Sequence, residues 1–222
     1  MSTPHVLVAT AVPAERDAVA RAFPAGASVA GAAVDVVAVG VGPAAAAART
    51  ALELGRRPYG LVVSAGIGGG FAPHAPVGSL VVADAIVAAD LGAETAEGFV
   101  SVTSLGFGSV LHTPPAGLVR AFAAASGAAA GPVLTVSTVT GSAERAAALR
   151  ARHPGALAEA MEGFGVAEAA AAYGLPVLEV RAVSNPVGPR DREAWRIGDA
   201  LAALTSGFGK LPAALEGWNP YE

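Results

Sequence analysis

The stretch Leu61-Val62-Val63-Ser64-Ala65-Gly66-Ile67-Gly68-Gly69-Gly70 joins an apolar run to four glycines within five positions. Residues 61–64 predict a buried strand, because the run is apolar on both faces. The glycines that follow predict a loop at the carboxyl end of this strand, where its backbone can come close to a ligand. A flexible turn without a ligand is the alternative. No G-K-[ST] follows, so the run is not a nucleotide-triphosphate loop.

Similar apolar runs recur on both sides of this stretch and alternate with segments of helical length. Strands are predicted at residues 6–11, 34–39, 61–64, 80–88, 133–139 and 177–183. Helices are predicted at residues 14–23, 44–54, 118–125, 143–152, 163–173 and 192–204. The alternation predicts an α/β fold: a single three-layer domain with a central mixed, mostly parallel sheet covered by helices. No charge run, repeat or linker divides the chain, so residues 1–222 are expected to form one domain.

The composition excludes several classes of protein. Of the 222 residues, 53% are hydrophobic and 14% are charged, which excludes a largely disordered chain. The net charge is −4 and no basic stripe is visible, which argues against nucleic acid as a partner. The absence of cysteine excludes disulfides, thiolate zinc sites and cysteine nucleophiles.

Two segments bear on location. Residues 121–143 carry no charge, but Gly, Pro, Ser and Thr interrupt them, so they are not predicted to span a membrane. Met1–His5 lacks the positive start and long apolar core of a signal peptide. We therefore expect a cytoplasmic protein without a membrane partner.

Gly40-Val41-Gly42-Pro43-Ala44-Ala45 fits the pattern G-x-G-x-x-A between a predicted strand and a predicted helix. The pattern indicates dinucleotide binding, and close packing of strand and helix is the alternative. Three features weaken the cofactor interpretation. The pattern follows the second strand, the next strand ends in no carboxylate, and Pro43 removes a backbone N–H from the helix start.

Polar residues follow several predicted strands, at the sheet edge where ligands bind in such folds. Glu15 and Glu162 each stand at the start of a predicted helix, where a carboxylate is also favoured by the helix dipole. Ser184-Asn185-Pro186 ends the last strand; its amide suits the edge of a purine, although the tripeptide is also ordinary turn chemistry. Residues 92–115 have weak periodicity and are predicted to form a long active-site loop.

Taken in order, these pieces resemble the nucleoside phosphorylase and nucleosidase family over nearly the whole chain. The matching segments are Ala11–Glu15, Gly40–Gly42, Ser64–Pro73 with the family's N-T-G-S-A-G-G-L-A-P loop, Gly78–Asp84, Met161-Glu162 with its M-E pair, and Arg181–Asn185 with its R-A-I-S-D. Residues 184–192, with Trp195 after them, further resemble the branch that hydrolyses a 6-oxopurine nucleoside and releases hypoxanthine.

The resemblance implies a nucleoside phosphorylase-like fold and a role for each matching residue. Glu15 would activate a water, Glu162 would hold the ribose hydroxyls and stabilise a cationic sugar, and Asn185 would donate to the purine. The substrate would also contact Gly66, Ile67, Gly68, Met161, Arg181 and Ser184. A purine nucleoside and water are the expected partners, together with further copies of the chain in a homo-oligomer. No metal or other cofactor is expected.

Departures from the family pattern bear on the substrate. The family's purine-binding Asp is Asn185 here, its first Glu of E-M-E is Ala160, and a loop Ser is Ile67. Asn favours a 6-oxopurine over adenine, because an amide N–H can donate to O6 or N7. The glycine loop and the segment before Glu15 carry no basic residue, and a carboxylate stands at the predicted nucleophile site, which together favour water over phosphate. Three alternatives stay open: a methylthioadenosine/adenosylhomocysteine nucleosidase, a 6-oxopurine nucleoside phosphorylase and a non-catalytic nucleoside-binding protein.

Overall fold

Strands that are buried on both faces form the centre of the fold. The computed structural model describes residues 5–23, 28–29, 31–216 and 218. Strand β1 (His5–Thr10) is an example of a strand buried on both faces. Its Leu7 and Ala9 pack on one face of the sheet, and its Val6 and Val8 pack on the other. Residues 1–4, most of the segment considered as a signal peptide, lie outside the described residues.

The remaining strands are β2 (Ser28–Val29), β3 (Ala32–Ala38), β4 (Tyr59–Gly70), β5 (Leu80–Ala88), β6 (Gly92–Thr95), β7 (Gly98–Ser101), β8 (Leu111–His112), β9 (Ala129–Thr135), β10 (Ala158–Ala160) and β11 (Val177–Pro186). The helices are α1 (Pro13–Ala20), α2 (Pro43–Leu54), α3 (Ala116–Ser126), α4 (Ala143–Arg152), α5 (Gly163–Ala172), α6 (Ile197–Phe208) and α7 (Leu211–Leu215).

The main sheet has the strand order β10-β9-β5-β11-β4-β1-β3-β2, and it mixes parallel and antiparallel pairs. Strand β10 also pairs with the end of β4, which closes β4, β11, β5, β9 and β10 into a five-stranded ring. Helices α2 and α5 cover one face of the sheet, and α1, α3, α6 and α7 cover the other. The predicted α/β fold class with a mixed, helix-covered sheet is confirmed.

The glycine run is a strand and not the predicted loop. Strand β4 continues through Gly70, and Gly66 pairs with Arg181 while Gly69 pairs with Asn185 of β11. Glycine is normally depleted in strands, but here its lack of a side chain lets the backbone of β10 come close to β4. A Cβ at Gly68 would lie 2.8 Å from the carbonyl oxygen of Glu159.

Two further predictions are corrected. The helix expected at residues 192–204 is a 3-10 turn at Arg192–Ala194 followed by α6. The N–H of Arg196 donates to the carbonyl of Ser184 (2.8 Å), which ties this segment to β11 and delays the helix. The loop expected at residues 92–115 contains the hairpin β6–β7 and strand β8.

None of the described helices is long and apolar enough to cross a lipid bilayer.

Candidate active site

A cleft of about 250 Å³ opens where β1, β4, β10 and β11 end. Most of the predicted site residues line it, namely Glu15, Ile67, Gly68, Met161, Glu162, Ser184 and Asn185. Gly66 and Arg181 lie behind this lining, next to Glu15. All of residues 92–115 are described and none of them lines the cleft, so they do not form the active-site loop expected of them within this chain.

Glu15 stands in the first turn of α1, and its carboxylate is fixed by three backbone N–H groups. Oε2 accepts from Ala11 (2.9 Å) and Val12 (3.2 Å), and Oε1 accepts from Ile67 of β4 (2.9 Å). Its residue surface is only 4% exposed. Burial raises the pKa of the Glu15 carboxyl, and the Ile67 N–H and the Arg181 charge oppose the rise. The result is an oriented carboxylate that is more basic than an ordinary glutamate.

Glu162, on the cleft lining, is held from behind by the buried Arg181. Arg181 Nη1 donates to Glu162 Oε2 (3.2 Å), its Nε donates to Glu179 Oε1 (2.9 Å), and its Nη2 donates to Ser64 Oγ (3.0 Å). Arg181 is fully buried and does not itself line the cleft, and its predicted contact with substrate stays a prediction. Burial raises the pKa of the Glu179 carboxyl, and the Arg181 charge opposes the rise.

The glycine turn at residues 40–42 completes the support of Glu162. Gly40 and Gly42 have φ values of +93° and +90°, which favour glycine, and the Gly42 N–H donates to Glu162 Oε1 (3.3 Å). The N–H of this turn therefore binds the Glu162 carboxylate. In the dinucleotide interpretation, a pyrophosphate would occupy that place. Close packing, the alternative interpretation, is also present: a Cβ on Gly165 of α5 would overlap the carbonyl oxygen of Pro43.

Asn185 and Ser184 stand at the end of β11, where the ladder to β4 shifts register. Ser184 Oγ donates to Asn185 Oδ1 (2.8 Å), and Asn185 Nδ2 donates to the carbonyl of Pro186 (3.0 Å). These two bonds fix the amide with its oxygen satisfied. Because an amide nitrogen carries two N–H groups, one donor of Asn185 is left for a ligand in the cleft.

A further carboxylate, Glu159, lines the cleft and was not predicted. It lies on β10 and accepts from the N–H of Thr140 (2.8 Å) and from the Thr140 hydroxyl. Burial raises the pKa of its carboxyl, and the two bonds from Thr140 oppose the rise. The available signal was a lone charge in the apolar run Ala156–Met161, but β10 is too short to show a strand period.

The charges of the lining disfavour an anionic group inside the cleft itself. Glu15, Glu159 and Glu162 line the cleft, whereas none of the described lining residues is Arg, Lys or His. Arg190 lies beside the lining: its guanidinium is 5.4 Å from the ring of Trp195, a lining residue. Within the described part of the chain, no three His, Asp or Glu side chains are grouped so as to hold a metal ion.

The chain matches known proteins over nearly its full length. Residues 12–210 match the family described as the phosphorylase superfamily. The chain is 70% identical to a futalosine hydrolase of Streptomyces coelicolor, with 98% of this chain and 99% of the relative covered. It is 45% identical to a futalosine hydrolase of Acidothermus cellulolyticus (94% and 90% covered) and 33% identical to one of Thermus thermophilus (78% and 79% covered).

Solved structures of similar fold are 5'-methylthioadenosine/S-adenosylhomocysteine nucleosidases. The enzyme of Neisseria meningitidis superposes with a TM-score of 0.80 at 20% identity, covering 94% of this chain and 98% of the other. An S-adenosylhomocysteine nucleosidase of Streptococcus pyogenes gives a TM-score of 0.82 at 18% identity, with 99% of both chains covered. At these identities the structures show a shared fold, whereas the family is shown by the sequence matches. The chain therefore belongs to the phosphorylase superfamily and, within it, to the futalosine hydrolase family.

Proposed function

We propose that this protein hydrolyses the N-glycosidic bond of futalosine and releases hypoxanthine and dehypoxanthine futalosine. The observation that carries the proposal is the 70% identity, over 98% of the chain, to a protein named futalosine hydrolase. The cleft supports it, because the carboxylates and the amide that such a cleavage needs line the same 250 Å³ space.

Glu162 holds the sugar in this proposal. Cleavage of the bond places positive charge on the ribosyl carbon, and a fixed carboxylate beside the ribose stabilises that charge. Arg181 and the Gly42 N–H each bind one Glu162 oxygen, so the carboxylate is already oriented before substrate enters. Each oxygen keeps a lone pair for the 2′- and 3′-hydroxyls. Met161, the preceding lining residue, packs against the sugar.

Glu15 activates the water. The water oxygen bonds to the ribosyl carbon on the side opposite the base, and Glu15 takes the proton that the water loses. The bond between ribose and purine nitrogen breaks, its electron pair leaves with the base, the base takes up one proton from solvent, and Glu15 then returns its own proton to solvent. A carboxylate of raised pKa suits this task, because it accepts a proton more readily at neutral pH.

Asn185 receives the leaving base. Its free N–H donates to O6 or N7 of hypoxanthine, where negative charge grows as the bond breaks. Ser184 contributes by fixing the amide oxygen, and Ile67 and Gly68 form the wall beside the reaction centre. Arg190, beside Trp195, is the candidate for the carboxylated aromatic group on the 5′ side of futalosine.

Water is the nucleophile in this proposal, and phosphate is not. A phosphate site needs Arg or Lys together with backbone donors. The described lining offers three carboxylates and no cation, so an incoming phosphate would meet like charge.

We also propose the setting of the reaction. The activity would serve menaquinone biosynthesis by the futalosine route, in the cytoplasm. The protein would work as a homo-oligomer whose contacts include Leu105-Gly106-Phe107. Phe107 is 81% exposed and Leu105 is 40% exposed, and large apolar side chains in such exposure mark interaction surfaces.

A substrate panel tests the proposal. Purified protein is incubated with futalosine, inosine, methylthioadenosine and adenosylhomocysteine, with and without phosphate, and free purine is followed by chromatography. We expect hypoxanthine from futalosine without phosphate. Adenine release would identify an adenine-type nucleosidase, and activity only with phosphate would identify a phosphorylase. No release from any of the four nucleosides would contradict the proposal and favour a binding protein.

A further inference from the structure

Glu159 is a buried carboxylate on the cleft lining that the proposed mechanism does not use. Its residue surface is 4% exposed, and a carboxylate removed from water is costly unless it has partners. Two bonds from Thr140, one from its N–H and one from its hydroxyl, hold both carboxylate oxygens. Each oxygen accepts only one of these bonds, so each keeps a lone pair that a ligand in the cleft can use.

The strand register places Glu159 and Asn185 on either side of Gly69. Gly69 of β4 pairs with Glu159 of β10 on one side and with Asn185 of β11 on the other. Neighbouring strands lie about 4.8 Å apart, so the two residues flank Gly69 at the same level of the five-stranded ring. Gly69 has no side chain, and a Cβ there would lie 2.9 Å from Val187 Cγ2 and 3.4 Å from Asn185 Nδ2. A side chain at Gly69 would therefore crowd the Asn185 amide, and Gly69, Glu159 and Asn185 all line the cleft.

The two flanking groups complement one kind of purine. Hypoxanthine has an acceptor at position 6 (O6) and a donor at position 1 (N1–H). Adenine reverses both, with an amino donor at position 6 and an acceptor at N1. Asn185 has a free N–H donor, and an ionised Glu159 can only accept. With the Asn185 N–H on position 6, this pair matches hypoxanthine at both positions and opposes adenine at both.

We propose that Glu159 determines the base specificity of the site by accepting the N1–H of a 6-oxopurine, with Thr140 holding the carboxylate in place. The inference rests on the proposed function, since it concerns how the same cleft selects its base. In this arrangement Asn185 serves the bond that breaks, and Glu159 supplies the second contact that adenine cannot make.

The test compares substrates that differ only at the base. We would measure kcat/KM of wild type and Glu159→Gln for futalosine, for its N1-methyl derivative and for the analogue that carries adenine. The exposed Glu144 of α4 supplies the matched control Glu144→Gln, which should behave as wild type. Replacing the charged acceptor by a neutral amide, one side of which can only donate, should lower kcat/KM of E159Q for futalosine roughly ten- to hundredfold.

The pattern across substrates separates recognition from support of the fold. If Glu159 reads N1–H, E159Q should lose little on the N1-methyl derivative, and its preference for futalosine over the adenine analogue should collapse. If Glu159 only anchors Thr140, all three values should fall by the same factor, and the inference is overturned. Glu159→Asp, which withdraws the carboxylate by one methylene, replaces E159Q if that variant does not fold.

Binding of the free base keeps this test independent of catalysis. Calorimetry with hypoxanthine and 1-methylhypoxanthine should show that wild type binds hypoxanthine more tightly, and that E159Q binds the two bases alike. If wild type releases hypoxanthine from no nucleoside but this binding pattern holds, the proposed function fails and the base specificity stands. If wild type hydrolyses futalosine and E159Q keeps the preference of wild type, only the specificity inference fails.

Discussion

Adding one methyl group at Gly66 should misplace the proposed base while leaving the fold in place. A Cβ at this position would lie 2.7 Å from Glu15 Oε1 and 2.8 Å from Arg181 Nη1. Neither neighbour can retreat freely. The Glu15 carboxylate accepts hydrogen bonds from three backbone N–H groups. The Arg181 guanidinium donates hydrogen bonds to Glu162, Glu179 and Ser64. Gly66→Ala therefore forces the Glu15 carboxylate to shift.

The expected loss is larger in turnover than in stability. Displacing a positioned group by about 1 Å costs on the order of a hundredfold in rate, so kcat of Gly66→Ala should fall by about that factor. Overpacking a close-packed interior by one methyl group should lower the free energy of unfolding by about 1–3 kcal/mol. In a chain of this length each 1 kcal/mol corresponds to roughly 2–4 °C in Tm.

The assay is hypoxanthine release from futalosine at saturating substrate, with thermal unfolding measured on the same samples. Gly117→Ala is the matched control, because Gly117 lies in α3 and a Cβ there would meet nothing within 4 Å. That variant should gain roughly 0.4–1 kcal/mol of stability and keep its kcat. A Gly66→Ala enzyme with the kcat of wild type would refute the assignment of Glu15 as the base.

Further outcomes follow from the same contacts. A protonated Glu15 cannot act as a base, and burial raises the pKa of its carboxyl above the usual 4.5. A pH profile between about pH 4 and 8 should therefore show kcat/KM rising with pH through a midpoint above 4.5. Asn185→Ala should lower kcat for futalosine roughly ten- to hundredfold, since a donor to a charged leaving group is lost; unchanged steady-state rates would remove Asn185 from the mechanism. Arg181→Met leaves buried carboxylates unpaired and should cost about 3–5 kcal/mol in urea unfolding, and a variant as stable as wild type would contradict the charge network. Gly165→Ala should be destabilised by about 1–3 kcal/mol or more in the same assay, because α2 and α5 would have to separate.

Sequence patterns predicted the elements whose signals are local. The bounds of β5 and α4 agree with the structure at both ends. Helix α4 carries its own start signal: Ser142 Oγ accepts from the N–H of Arg145, and Glu144 lies in the first turn. The glycine run of β4 was mistaken for a loop because its strand structure comes from pairing with β11 and β10, which are distant in sequence.

The residues of the candidate site differ in the same way: some have a signal in the sequence, and others are defined only by contacts between distant segments. Glu15, Glu162 and Asn185 could be identified because the order of the motifs resembles a known family, and the structure brings all three to one cleft. Glu159 was missed because its bonds to Thr140 and its pairing with Gly69 arise only when the five-stranded ring closes. The position of Arg181 behind the lining depends on three acceptors from separate elements, and no local pattern shows that convergence.

The central claim is that this chain hydrolyses futalosine with Glu15 as the base. The most direct measurement is the yield of hypoxanthine from futalosine in phosphate-free buffer by wild type and by Glu15→Gln at equal concentration. We predict one hypoxanthine for each futalosine consumed by wild type, and a rate roughly 10²–10⁴ lower for E15Q, the usual contribution of a positioned base. Absence of hypoxanthine with wild type, or equal rates for the two proteins, would contradict the account.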